Sequence, residues 1–391
     1  MKRSFIREIL ESIDSDTISF AGGLPDEKLF PLEDLRKASE KVFDNPQNLQ
    51  YTISNGIPSL REKIAGFYNK EGFETKASNI LITTGSQQGL FIIAKYFQNT
   101  KIIVEEPSYL GAVNVFRMNG LAMQSVPLAY DGIESGQFED GYSDTKLAYL
   151  IPDFQNPKGS LYSSEKRCEV AKSVLKHGGY LIEDAPYSEL YFDQKMPSIS
   201  SLIPDNSFHL GSFSKVLSPS LRIGWVRANE EMIKRLTMIK ETIDLHSCGI
   251  SQYILDHYLE DLNSYQNHLD SLRGAYKAKM HVFTKALQEN LKDFQFEAPK
   301  GGMFVFGSLP GVDTFELVQK CIKEKVVYVP ANQFYLDKPI SDEIRFNFTY
   351  TAPHEVEEGL QRINKALKAL KREYRTGNGP DRKGTIATVK A

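Results

Sequence analysis

"LAYLIPDF" (Leu147–Phe154), "SSEKRCEVAKSVLKHGG" (Ser163–Gly179) and "GYLIEDAPY" (Gly179–Tyr187) follow one another in mid-chain, and their order decides the fold. The first and third are short apolar runs of strand length. Between them, apolar positions recur at helical spacing, and the run stops at His-Gly-Gly, a C-terminal helix signal. Strand, helix, strand in this order predicts an α/β layered core with a largely parallel sheet. Sheets of that kind bind ligands outside the carboxyl ends of their strands.

Working outward, the same alternation continues. "NILIT" (Asn79–Thr83) leads into the helical pattern "GSQQGLFIIAKYF", and "KIIVEEP" (Lys101–Pro107), "SFHLGSFS" (Ser207–Ser214) and "RIGWVRA" (Arg222–Ala228) read as further strands. The charged stretch from Glu230 to about Leu291 reads as mainly helical. From about Phe294 to Ala369 the pattern is a small α+β unit: "GGMFVFGSL", "KVVYVPA" and "EIRFNFTY", then a helix from Pro353. The expected division is an N-terminal segment with part of the small domain in 1–45, a large domain in 46–285, a C-terminal small domain in 286–374, and a polar, flexible tail in 375–391.

Composition bounds the function classes. The 391 residues are 41% hydrophobic and 25% charged, as in ordinary soluble globular protein, and too many for one small core. A net charge of -3 gives no reason to expect nucleic-acid binding. Cys168, Cys248 and Cys321 are far apart and odd in number, so neither a disulfide framework nor a zinc site is expected. The N-terminus lacks the apolar core of a signal peptide, and no apolar run is long enough to cross a bilayer. The expectation is a soluble, cytoplasmic protein with no membrane partner.

Four short stretches can carry chemistry. "TTGSQQGL" (Thr83–Leu90) joins a strand to a helix, and free N–H groups with small hydroxyls there suit an anion such as phosphate. Ser86 could equally be a plain N-cap, and the Gly-Lys-Ser/Thr of the Walker loop is missing. "LIEDAPY" puts Asp184 and Tyr187 at a strand's carboxyl end, where a carboxylate either caps the next turn or pairs with a buried cation. "DFQNPKG" (Asp153–Gly159) is an Asn-Pro turn aiming Asn156 at the same edge. "HLGSFSKVLSPSLRIGW" (His209–Trp225) sets Lys215 among Ser212, Ser214 and Arg222, a second half for an anion site. A lysine beside a phosphate site, facing a carboxylate and an amide, is what a pyridoxal phosphate enzyme requires. There the lysine forms the Schiff base and the carboxylate pairs with the pyridinium nitrogen.

On these stretches the chain resembles the class I/II aminotransferases of fold type I, closest to their 2-aminoadipate and kynurenine branch, which also supplies the effector domains of MocR-type regulators. The likeness extends through "IREIL" (Ile6–Leu10), "ISFAGGLPDEKLFP" (Ile18–Pro31), "LQYTISNGIPSLRE" (Leu49–Glu62), "EEPSYLGA" (Glu105–Ala112), "EDAPYSEL" (Glu183–Leu190), "PKGGMFVF" (Pro299–Phe306) and "IRFNF". It implies an aspartate-aminotransferase-like architecture: a mostly parallel seven-stranded sheet in an α/β/α sandwich, plus a smaller α+β domain. It implies pyridoxal 5'-phosphate as cofactor, and ping-pong transfer of an amino group from an L-amino acid to a 2-oxo acid. A homodimer with shared active sites is implied as well.

Residue by residue, the resemblance implies that Lys215 carries the cofactor and that Ser86, Gln87, Ser212, Ser214 and Arg222 hold its phosphate. Asp184 would pair with the ring nitrogen, Asn156 and Tyr187 would bond the phenolic oxygen, and Tyr109 would stack on the ring. Tyr51 would reach the phosphate of the neighbouring subunit. Arg345 would grip the substrate α-carboxylate, with Gly23 against the substrate. Arg7 matches an arginine that contacts acidic side chains, favouring glutamate and 2-oxoglutarate as one pair. Phe20, Tyr51 and Phe304 are candidates for an apolar wall. Lys158 and Ser220 depart from the family pattern, where threonine and glycine are usual.

Two other readings remain at this level. One is a lyase or decarboxylase using the same cofactor and fold. The other is a ligand-sensing domain without turnover, although only about twenty residues precede "ISFAGGLP", too few for a DNA-binding module.

Overall fold

The computed structural model describes Asp14, residues 16–336 and residues 339–375. In chain order its strands are β1 (Ile18–Ser19), β2 (Ile80–Thr83), β3 (Lys101–Glu106), β4 (Ala122–Pro127), β5 (Leu147–Leu150), β6 (Tyr180–Asp184) and β7 (Ser207–Ser212). There follow β8 (Gly224–Arg227), β9 (Gln295–Phe296), β10 (Phe304–Ser308), β11 (Val326–Val327), β12 (Val329–Pro330) and β13 (Glu343–Asn347).

Seven strands form the large sheet in the order β2-β8-β7-β6-β5-β3-β4. Its pairs are parallel except those of β8, which runs antiparallel to both β7 and β2. Every residue of β5 and β7 is buried, and β5, Leu-Ala-Tyr-Leu, accordingly reads as a continuous apolar run rather than an alternating one. Successive side chains still point to opposite faces. Ile103, Ala148, Leu150 and Leu181 join one buried cluster, while Val104, Tyr149, Ile182 and Leu210 join the other. Both faces are therefore covered, as an α/β/α sandwich requires.

The crossover from β5 to β6 is the helix Ser164–His177. Ser163 caps its start by accepting from the Lys166 N–H, and Gly178, at φ 64°, ends it in the left-handed conformation. The stretch expected to be mainly helical is three helices, Glu230–Asp244, Gly249–Tyr258 and Leu262–Asn290. The edge strand β4 was not among the expected strands. It exposes or half-exposes most of its positions and lacks the apolar signature of its neighbours.

The small unit is built on an antiparallel sheet, β12-β13-β10-β9. The N-terminal β1 pairs in parallel with β11, Ile18 opposite Val326, and the segment after it brings the Gly23 carbonyl to the Lys215 ammonium. No helix among the described residues is long and apolar enough to cross a membrane.

Candidate active site

The carboxyl edge of the large sheet gathers the chemistry. Ser86 and Gln87 open the helix after β2, Tyr109 follows β3, and Asn156 follows β5. Asp184 ends β6 with Tyr187 just beyond it, and Lys215 follows β7. Arg222 precedes β8, and because β8 is antiparallel its beginning lies where its neighbours end. Arg345, on β13, and Gly23, between β1 and β2, complete the ring. With Ser212, Ser214, Ile151 and Pro186, these residues line one cavity of about 300 Å³.

One corner gathers hydrogen-bond donors. The first N–H groups of the helix Ser86–Tyr96 have no partner within the helix. Gly85, at φ 72°, turns the chain into it, and a Cβ there would come 2.5 Å from Arg222 Nη2. Arg222 itself adopts φ 53°, unusual for a non-glycine residue. Its Nη1 donates to Ser214 Oγ at 3.3 Å and to the Pro219 carbonyl at 3.2 Å, and its Nη2 to the Thr84 carbonyl at 3.5 Å. Ser212 Oγ accepts from the Ser214 N–H at 3.1 Å. The Gln87 side chain bridges the Tyr109 hydroxyl (3.3 Å) and the Gly111 carbonyl (3.2 Å). Ser220, whose effect the sequence left open, sits exposed in a short 3-10 turn, its N–H donating to Ser218 Oγ at 3.3 Å.

Deeper in, Lys215 Nζ donates to the Gly23 carbonyl at 2.7 Å. Burial pulls its ammonium down to about 8, helped by the positive charges of Arg345 and then Arg222. Asp184 is fully enclosed. Its Oδ2 accepts from the Tyr149 hydroxyl at 2.8 Å, and its Oδ1 is buried with no partner among the described residues. Burial pushes the carboxyl up to about 7, against the lowering effect of the Tyr149 bond. Asn156 Nδ2 lies 3.5 Å from the Tyr187 hydroxyl, whose own proton burial holds more tightly than in an ordinary tyrosine.

Arg345 is buried to 3% exposure. Its Nη1 donates to Asn156 Oδ1 at 2.8 Å and its Nη2 to the Ala21 carbonyl at 2.5 Å. The guanidinium lies 4.5 Å from the Phe304 ring centre and 5.2 Å from that of Phe334. Burial lowers it only to about 10, so it stays a cation near neutral pH.

Other candidates lie elsewhere. Tyr51 is 78% exposed, outside the cavity, with its ring edge against His246. Arg7 falls outside the described residues. Phe20 forms no wall of the cavity; it is core, packed edge-on against Phe283 and Phe346. Lys158 turns away, its ammonium bonded to the Leu128 carbonyl and set over the Tyr130 ring. Ile151 and Pro186 line the cavity and Tyr149 bonds to Asp184, and the sequence reading singled out none of the three. Tyr149 carried no signal because it lies inside an apolar strand.

Residues 16–363 match the family described as aminotransferase class I and II. The chain belongs to that family.

This aminotransferase is 33% identical to aromatic-amino-acid aminotransferase 1 of Thermococcus litoralis, over 94% of this chain and 92% of that one. Among solved structures it resembles LysN, the alpha-aminoadipate aminotransferase of Thermus thermophilus, in complex with N-(5'-phosphopyridoxyl)-L-leucine. That likeness has a TM-score of 0.88, 32% identity, and coverage of 95% and 96% of the two chains. It also resembles the kynurenine aminotransferase of Pyrococcus horikoshii in complex with PMP, with a TM-score of 0.89, 30% identity and 95% of each chain covered. Its architecture is the aspartate-aminotransferase-like fold type I.

Proposed function

We propose that this aminotransferase uses pyridoxal 5'-phosphate to move an amino group from an L-amino acid to a 2-oxo acid by a ping-pong cycle, with glutamate and 2-oxoglutarate as one pair. The observation that carries the cofactor reading is the unpartnered, fully buried Oδ1 of Asp184, in the same cavity as Lys215. A buried carboxylate oxygen without a donor is costly, and a protonated ring nitrogen is the donor that would relieve it.

When bound, the cofactor supplies an electron sink for the pair left behind as the substrate Cα proton departs. Asp184 would keep the ring nitrogen protonated. Ser86, Gln87, Ser212, Ser214 and Arg222 would hold the phosphate, Asn156 and Tyr187 the phenolic oxygen, and Tyr109 would contact the ring. Lys215 would carry the cofactor, and its free amine would take up and return the proton at the substrate Cα. Its lowered pKa leaves a usable neutral fraction near neutral pH. The planar fork of Arg345 would hold the α-carboxylate with Gly23 alongside, fixing which Cα bond can break. No observation favours a lyase, a decarboxylase or a sensing domain.

Lys215→Ala tests the reading. It should abolish transamination with 2-oxoglutarate together with the absorbance of the lysine-bound cofactor, and undiminished turnover would sink the assignment. The glutamate pairing rests on the resemblance at Arg7. Arg7→Ala should raise KM for glutamate and 2-oxoglutarate alone, and an unchanged KM for both removes that role.

We infer further that the enzyme is a homodimer in which Tyr51, exposed on its own chain, reaches the phosphate bound by the partner. Sedimentation of a monomer at all concentrations would end that reading.

A further inference from the structure

The turn that opens the anion corner is held from behind by side chains that no step above uses. Lys240, in the helix Glu230–Asp244, is completely buried, and its ammonium donates to Asp244 Oδ1 at 2.6 Å. The other oxygen, Oδ2, accepts from Gln88 Nε2 at 2.7 Å and from Thr84 Oγ1 at 3.3 Å. Thr84 and Gln88 flank Gly85, Ser86 and Gln87. They also bond to each other, the Thr84 N–H donating to Gln88 Oε1 at 2.8 Å. The Thr84 carbonyl in turn accepts from Arg222 Nη2 at 3.5 Å. One carboxylate oxygen thus ties both ends of the turn, and the tie extends to the arginine on the opposite side of the corner.

A carboxylate behind an anion site works against it unless its charge is cancelled. Lys240 cancels it, leaving the N–H groups and Arg222 to set the sign of the corner. A buried ion pair is a weak source of stability compared with apolar side chains of the same size. Its value here is positional.

We propose that the Lys240–Asp244 pair is a positioning device for the cofactor phosphate. Asp244 clamps Thr84 and Gln88 so that the Ser86 and Gln87 N–H groups and the Arg222 guanidinium converge on one anion. The inference rests on the cofactor reading above.

The test removes both charges at once, in the full-length chain, with and without an acceptor at position 244. Lys240→Met/Asp244→Asn keeps a carbonyl oxygen for Thr84 and Gln88. Lys240→Met/Asp244→Leu does not. After cofactor removal, each protein is titrated with pyridoxal phosphate and, separately, with pyridoxal, which has no phosphate, following the absorbance of the lysine-bound form. The Leu variant should bind pyridoxal phosphate about tenfold more weakly than the original protein, and the Asn variant within about threefold of it. Pyridoxal affinity should be the same in all three.

An unchanged pyridoxal phosphate affinity in the Leu variant overturns the proposal. So does an equal loss for pyridoxal, which would mean general damage to the site. So does an equal loss in the Asn variant, which would mean that the acceptor oxygen is not the cause. If the original protein takes up neither compound on Lys215, the cofactor reading itself falls, and this inference with it.

Discussion

The Tyr149 hydroxyl donates to Asp184 Oδ2 at 2.8 Å, across two neighbouring parallel strands. Tyr149 stands opposite Ile182 in the β5–β6 register, so Asp184, two residues further on, shares its face of the sheet. Burial raises the Asp184 carboxyl and this bond lowers it. Tyr149→Phe should therefore let it rise, leaving Asp184 less often an anion near neutral pH. The expected result is a kcat lower by about tenfold, from the loss of one hydrogen bond to a charged group, with KM little changed. The acid limb of the kcat profile should move to higher pH. An unmoved limb would remove Tyr149 from this role.

Asp184→Asn should stabilise the cofactor-free protein while disabling the enzyme. The folded carboxyl keeps its proton up to about 7, against 3.8 for an unperturbed aspartate. Stability is therefore fully present below about 3.8 and lost as the pH climbs through 7. Above that pH the asparagine variant should be more stable by about 2 kcal/mol, and at pH 4 by much less. Urea denaturation of the two cofactor-free proteins at both pH values measures the difference. Equal stabilities at pH 8 would contradict the idea of an uncompensated carboxylate.

Lys215 should capture the cofactor with a rate that rises as the pH passes about 8, where its amine loses the proton. After burial, the next cause of its low pKa is the charge of Arg345. Arg345→Gln removes that charge, so the midpoint should move to higher pH, whereas Arg345→Lys should leave it nearly in place. Stopped-flow mixing of cofactor-free protein with pyridoxal phosphate across pH gives the midpoints. A glutamine variant titrating at the original pH would separate the two residues.

Gly85→Ala and Gly72→Ala both put an alanine at a positive φ, 72° and 76°, and at Gly85 the ψ of 166° adds to the strain. An added Cβ at Gly72 meets nothing within 4 Å, but at Gly85 it meets Arg222 Nη2. Gly72→Ala should cost about 1 kcal/mol of stability and Gly85→Ala about 2 kcal/mol. Only Gly85→Ala should also weaken binding of pyridoxal phosphate, by about tenfold, through a displaced guanidinium. Thermal melts and cofactor titrations distinguish the two effects. Equal cofactor affinity in both variants would clear Arg222 of that dependence.

Lys215, Asp184 and Asn156 were legible in the sequence because each interrupts or ends an apolar run with a group that does not belong there. Position at a strand's carboxyl end is a local property, and it places a side chain at the ligand edge of a parallel sheet. Ser86 and Arg222 were legible for a related reason, since glycine, serine and proline mark the turns around them. Tyr149 and Lys240 were not. A tyrosine within "LAYLI" reads as core, and a lysine within "RLTMIKETID" reads as a solvated helix face, yet Lys240 is wholly buried.

The amino-acid sequence by itself determined the layered α/β class and the approximate strand ends. Periodicity and turn chemistry act over a few residues, and those features need nothing more. Only the tertiary structure decided that Tyr149 meets Asp184, that Arg345 reaches Asn156 and Ala21, and that Asp244 ties Thr84 to Gln88. Those contacts depend on strand register and on how one helix packs behind a turn from another part of the chain. Both are settled by burying the whole core at once, and no local stretch encodes them.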